Sequence, residues 1–124
     1  MSNASEIAKG TTEIARHFNA AVFKSIEDGV TSVLGGKVLE PLFIHLEKYH
    51  ALPREEIPAR LDLFFPALEK AFGPTSGKTL GRFIVKLLYA RLGLEFANKP
   101  DSGLLEYVEN ARRLESQSLF AQSS

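Results

Sequence analysis

Cysteine is absent from the 124 residues. Disulfides and thiolate metal centres are thereby excluded, and a reducing compartment is compatible with the chain. An excess of charge of either sign is absent too. Fifteen basic side chains meet fifteen acidic ones, so the global positive field that draws proteins to nucleic acid is missing. No apolar run approaches the ~18 residues that would span a bilayer. The opening stretch "MSNASEIAKGTTEIARHF" is charged throughout and has no apolar signal-peptide core. A cytoplasmic protein without membrane contact is the expectation. There is no internal repeat and no period-two segment bounded by hairpin turns.

What is present is a composition of 44% hydrophobic and 24% charged residues, enough apolar material for one soluble globular domain. Gly and Pro divide it into helical pieces. The first runs from about Ser5 to Leu34, with Ile14, Phe18, Val22, Ile26, Val30 and Val33 in one stripe. Gly29 weakens it by roughly 1 kcal/mol relative to Ala and allows a bend; Gly35 and Gly36 end it. "KVLEPLFIHLEKYHA" is the second piece, with Leu39, Leu42, Phe43, Leu46 and His50 on one side and Pro41 near its start. "LPREEIP" is a turn. "DLFFPALEKAFG" follows. Asp62 is expected as its N-cap, Pro66 in its first turn, Phe65, Leu68 and Phe72 on its buried face, and Gly73 as C-cap. "SGKTLGRFIVKLLYARLG" is the clearest helix. Leu80, Phe83, Ile84, Leu87 and Leu88 lie on one side, Lys78, Arg82 and Lys86 on the other. "LEFANKPDSG" is a loop with Leu94 and Phe96 tucked inward. "GLLEYVENARRLE" is the fifth helix, capped by Asp101 or Ser102, burying Leu105, Val108 and Ala111, with Leu104 or Arg112 at the edge. The fold class is all-α, a compact bundle of about five helices with a long N-terminal helix.

"AFGPTSGKTLG" (71–81) is close to a phosphate-binding P-loop. The pattern needs four residues between Gly and Gly-Lys-Ser/Thr, but only Pro74, Thr75 and Ser76 separate Gly73 from Gly77. A helix precedes it where the motif needs a strand. Helix punctuation explains every residue: Gly73 stops one helix, Pro74 prevents its continuation, and Thr75 or Ser76 caps the next. A weaker anion- or nucleotide-binding reading survives at the helix N-terminus, on Thr75, Ser76, Gly77 and Lys78.

Residues 74–98 carry four basic side chains against Glu95, a local +3 balanced by −3 elsewhere. Lys78, Arg82 and Lys86 are four apart, with Tyr89 nearby. They form a candidate contact for phosphates or an acidic partner, although a solvated face is the simpler account. Arg91 falls on the apolar side and is expected to snorkel or pair with a carboxylate. Glu47 and His50 have the Glu-x-x-His spacing of di-iron bundles. The second copy is missing, because Glu13 precedes His17 by four residues. His45 and His50 are expected at the core margin. No nucleophile–base pair and no cofactor site is implied. The first helix is long for this chain, and Ile14, Phe18, Val22 and Ile26 are a candidate homodimer or docking face, the alternative being burial within one chain.

The motifs "FIHLEKYHALPREEIP", "LEKAFG" and "FIVKLLYARLGLEF" occur in that order. On them, residues 26–113 resemble a family of small α-helical archaeal output domains, of the Nitrosopumilus type. The resemblance implies a regulatory or signalling role without catalysis, and it carries over no catalytic residue. Three segments are expected: 1–25 as a dimer or docking part of the first helix, 26–115 as the output-like domain, and 116–124 as a flexible polar tail. The expected function is a non-enzymatic interaction domain with a protein partner. A nucleic-acid-binding regulator using the Lys78–Arg82–Lys86 face is one alternative; an anion-binding protein at Thr75–Lys78 is the other.

Overall fold

The computed structural model describes the backbone of residues 2–99 and 101–123, and the side chains of residues 15–99 and 101–117. Among the described residues the elements are α1 (Ser2–Leu34), a 3₁₀ turn (Gly36–Val38), α2 (Leu39–His50), a second 3₁₀ segment (Arg54–Ala59), α3 (Leu61–Phe72), α4 (Pro74–Arg91) and α5 (Leu104–Ser123), with no strand. The chain is an all-α bundle.

Its core is built where the stripes meet. Phe18, Val22, Ile26 and Val30 of α1 face Leu80, Ile84 and Leu88 of α4, with Leu42, Phe43 and Leu46 of α2 and Phe64, Phe65 and Leu68 of α3 closing the sides. Burying a side chain of this size contributes about 1.5–3 kcal/mol. Val108 and Ala111 of α5 complete the cluster, and Leu94 and Phe96 pack against it from the 94–103 loop as expected.

Glycines set how closely the helices approach. Gly29 leaves α1 unbroken to Leu34. It is a crossing point: a Cβ there would stand 2.7 Å from Cγ1 of Ile84 on α4. Gly77 lets α4 rest on α3, because a Cβ would come within 2.5 Å of the Glu69 Cα. Gly73 alone joins these two helices. Its φ of 91° and ψ of 157° lie in a region essentially reserved for Gly, so the chain reverses in one residue.

Several local expectations change. Asp62 is not the N-cap of α3. The helix starts at Leu61, and Arg60 is the cap, its carbonyl accepting from the Phe64 N–H at 3.1 Å. Pro66 therefore falls in the second turn. It is exposed, so water can serve the Asp62 carbonyl that loses its intrahelical donor. Thr75 and Ser76 do not cap α4: Gly73 does, with its carbonyl accepting from Gly77 N–H at 2.8 Å and Pro74 at the first helical position. Leu105 is not buried, being 44% exposed, and Tyr107 takes its place beside Val108 and Ala111. Gly103, rather than Asp101 or Ser102, begins α5, accepting from Tyr107 N–H at 3.3 Å. Residues 116–123, within the expected tail of 116–124, are the helical end of α5.

Candidate functional site

The four residues of the P-loop-like stretch do not converge on one point. Gly77 is buried against α3. Thr75 and Ser76 line a groove of about 480 Å³ between the end of α1 and the start of α4, together with Val33, Leu34, Phe72, Thr79, Leu80 and Phe83. The Thr79 hydroxyl donates back to the Thr75 carbonyl at 2.9 Å. Lys78 and Arg82 line a different groove, of about 560 Å³, between α3, α4 and the start of α5.

The basic stripe of Lys78, Arg82 and Lys86 is exposed, and each member has a neighbour. Lys78 Nζ stands 3.9 Å from Glu69 Oε1. Arg82 donates to the Asn98 side chain. Lys86 Nζ lies 5.7 Å from the centre of the Phe96 ring. Asp62, Glu69 and Glu106 share the groove with Lys78 and Arg82. Three carboxylates against two cations make its charge mixed, and an anion entering there would meet repulsion as well as attraction. Tyr89 is not part of this face. It is buried, and its hydroxyl donates to the Tyr107 carbonyl at 2.6 Å.

Beside that groove, Arg60 donates to both carboxylate oxygens of Asp62, at 3.1 and 3.0 Å. The hydrogen bond from Arg60 holds the Asp62 carboxyl below the usual carboxylate range, and Asp62 in turn raises the Arg60 guanidinium.

The candidate dimer or docking face is not a surface. Phe18, Val22 and Ile26 are in the core of the single chain, because α4 and α5 cover the stripe; the Ile14 side chain lies outside the described residues. At the end of α1 the stripe does emerge: Val33 is 54% exposed, with Leu34 beside it.

Glu47 and His50 are not brought together with further ligands. Glu47 lines a shallow groove with Glu40, Ile44, Arg54 and Glu55. His50 packs instead on His45, ring centres 5.5 Å apart, and both are half-buried. Among the described residues no three His, Asp or Glu side chains are grouped to hold a metal ion. Arg91 pairs with Asp28 of α1, a carboxylate partner of the kind its position suggested.

Sequence reasoning missed the clasp on the 94–103 loop. The Tyr107 hydroxyl accepts from the Lys99 N–H at 2.6 Å and donates to the Lys99 carbonyl at 2.9 Å. The Phe96 ring stacks on Tyr107 at 4.9 Å and meets Tyr89 edge-on at 5.3 Å. No spacing signal announces this knot, since its members come from a helix, a loop and a second helix. The apolar groove at Val33 was missed for the same reason: Val33, Phe72 and Phe83 belong to three separate helices.

Comparison of the chain with family models, curated proteins and solved structures finds no match. Among the described residues no helix is long and apolar enough to cross a membrane.

Proposed function

We propose that the chain is a non-enzymatic regulatory interaction module, which engages a protein partner through the apolar groove between the end of α1 and the start of α4. The observation that carries this reading is Val33, an exposed apolar side chain with Leu34 at the rim of a groove lined by Phe72, Leu80 and Phe83. Exposed apolar groups beside a groove favour contact with a partner. The polar groups there are the hydroxyls of Thr75, Ser76 and Thr79. None of the lining residues titrates in the working range, so no general base stands beside those hydroxyls. The resemblance of residues 26–113 to archaeal output domains supports a signalling setting. Contact with nucleic acid through Lys78, Arg82 and Lys86 is the lesser reading, because carboxylates share the groove of Lys78 and Arg82.

The test is affinity capture from an extract of the native organism, followed by titration with the purified partner. Val33→Glu keeps the helical circular dichroism of the parent, since the site is exposed, and weakens the partner at least about tenfold, because it puts an unpaired charge into an apolar contact. Lys78→Glu with Arg82→Glu leaves that affinity in place. If Val33→Glu binds as the parent does, the groove is not the contact. If only the charge reversal abolishes binding, the basic face replaces it.

A further inference from the structure

The groove between the end of α1 and the start of α4 has no charged side chain in its lining. Carboxylates and cations stand together in the groove at Lys78, in the one at Glu47, and in those against α5 at Arg112 and Arg113. In a chain with 24% charged residues, an uncharged groove is chemically distinct. Its polar groups are the hydroxyls of Thr75, Ser76 and Thr79. The Thr79 hydroxyl donates to the Thr75 carbonyl at 2.9 Å, and its oxygen can still accept.

This chemistry suits one partner above others. A carboxylate only accepts hydrogen bonds and an ammonium only donates, so a charged patch needs its opposite on the partner and repels its own copy. A hydroxyl both donates and accepts. It can therefore pair with the same group on a second molecule. Apolar side chains likewise meet their own kind, and homodimer interfaces are more apolar than the ordinary protein surface. The shape has the same property. Val33 stands at the end of α1, 54% exposed, whereas Leu80 is only 4% exposed, with Phe72 and Phe83 half-buried beside it. A knob and a hole thus lie side by side on one surface. A two-fold axis sets the knob of each copy on the hole of the other.

We propose that the partner of this groove is a second copy of the chain, in a two-fold dimer that seats Val33 of each copy against Phe72, Ser76 and Phe83 of the other. The proposal rests on the reading that the groove is the protein contact, and it names the partner. The surface is not the one expected at Ile14, Phe18, Val22 and Ile26, since the last three are in the core. A contact built on one groove of about 480 Å³ lies at the small end of specific interfaces. A dissociation constant of about 1–100 μM is therefore expected.

Sedimentation equilibrium of the purified full chain reads the dimer as a rise in mass, over a concentration series reaching about tenfold above that range. Val33→Glu and Ser76→Lys both change exposed positions and keep the helical circular dichroism of the parent. Each alone weakens the dimer at least about tenfold, because it buries a charge without a partner in both contacts of the pair. An equimolar mixture of the two variants restores the dimer. In the mixed pair one contact joins the new glutamate to the new lysine, and the other contact is native. A parent that stays monomeric throughout the series overturns the proposal. So does a dimer that either variant leaves intact, or a mixture that stays monomeric. The wider reading is judged separately: if the parent is monomeric yet Val33→Glu loses a protein captured from the extract, the groove is a contact for a different protein and not for a second copy.

Discussion

At Gly77 a single methyl group decides whether α3 and α4 can touch. The atoms it would strike are backbone, the Cα and N of Glu69 and the carbonyl carbon of Leu68 at 2.5 to 2.8 Å, and backbone cannot turn aside as a side chain can. Gly77→Ala gains roughly 1 kcal/mol of helix propensity but forces the helices apart. A net loss of about 1–3 kcal/mol is expected from the overpacking, seen as a lower denaturant midpoint. A midpoint equal to the parent's would mean that the helices are not in backbone contact. Ala51 presents the opposite case. It ends α2 in the left-handed region, at φ 50° and ψ 39°, where a Cβ is unfavourable by about 1–2 kcal/mol. Ala51→Gly recovers part of that, offset by the greater freedom of unfolded Gly, and raises stability by about 0.5–1 kcal/mol; a fall in melting temperature would refute it. Asp62 is a titration site. Its lowered carboxyl pKa, caused first by the Arg60 hydrogen bond, means that the pair supports folding above the ordinary carboxylate range. That support fades as pH falls through the lowered value. Both side chains are exposed, so the effect is small and salt-sensitive. In NMR titration, Arg60→Gln returns Asp62 toward an ordinary carboxylate, whereas an unmoved midpoint would assign the shift elsewhere.

At the scale of elements, α3 and α4 form a hairpin joined through Gly73. Nothing stands within 4 Å of the place a Cβ would take there, so Gly73→Ala is a purely conformational test. Its expected cost is about 1–3 kcal/mol, against almost none if another backbone conformation serves. The five helices and most of their buried faces were legible in the sequence, because Phe18, Val22, Ile26 and Val30, or Leu80, Ile84 and Leu88, recur at helical spacing. The helix starts were not. Asp62 and Thr75 are good caps by composition, yet Arg60 and Gly73 hold those positions, since burial of Leu61 and the one-residue turn set where each helix begins. Gly29 reads as a weak point and Gly77 as part of an anion-binding turn, and both are packing points; the difference lies in a second helix that spacing cannot reveal. Leu105 shares an expected stripe with Val108 and Ala111, but the core side of α5 includes Tyr107, which reaches the Lys99 backbone. The candidate site was less legible still. Thr75, Ser76, Lys78 and Arg82 are close along the chain, and their helix sends them into two grooves.

For the molecule as a whole, burial of the α1 stripe changes what a mutation there means. Val22 is 2% exposed, so Val22→Glu places an unpaired charge in the core. A loss of at least about 3 kcal/mol is expected, measured as unfolding at lower denaturant. A folded Val22→Glu variant with an altered mass in light scattering would restore the dimer face instead. The same architecture has a kinetic consequence. The α3–α4 contact closes across the single residue Gly73, whereas α1 reaches α4 through partners as distant in sequence as Asp28 and Arg91. Local contacts form before distant ones, since loop closure costs entropy. The hairpin is therefore the expected folding nucleus, with α1 docking onto it late. In kinetic terms, Leu68→Ala should chiefly slow folding, and Val30→Ala should chiefly speed unfolding.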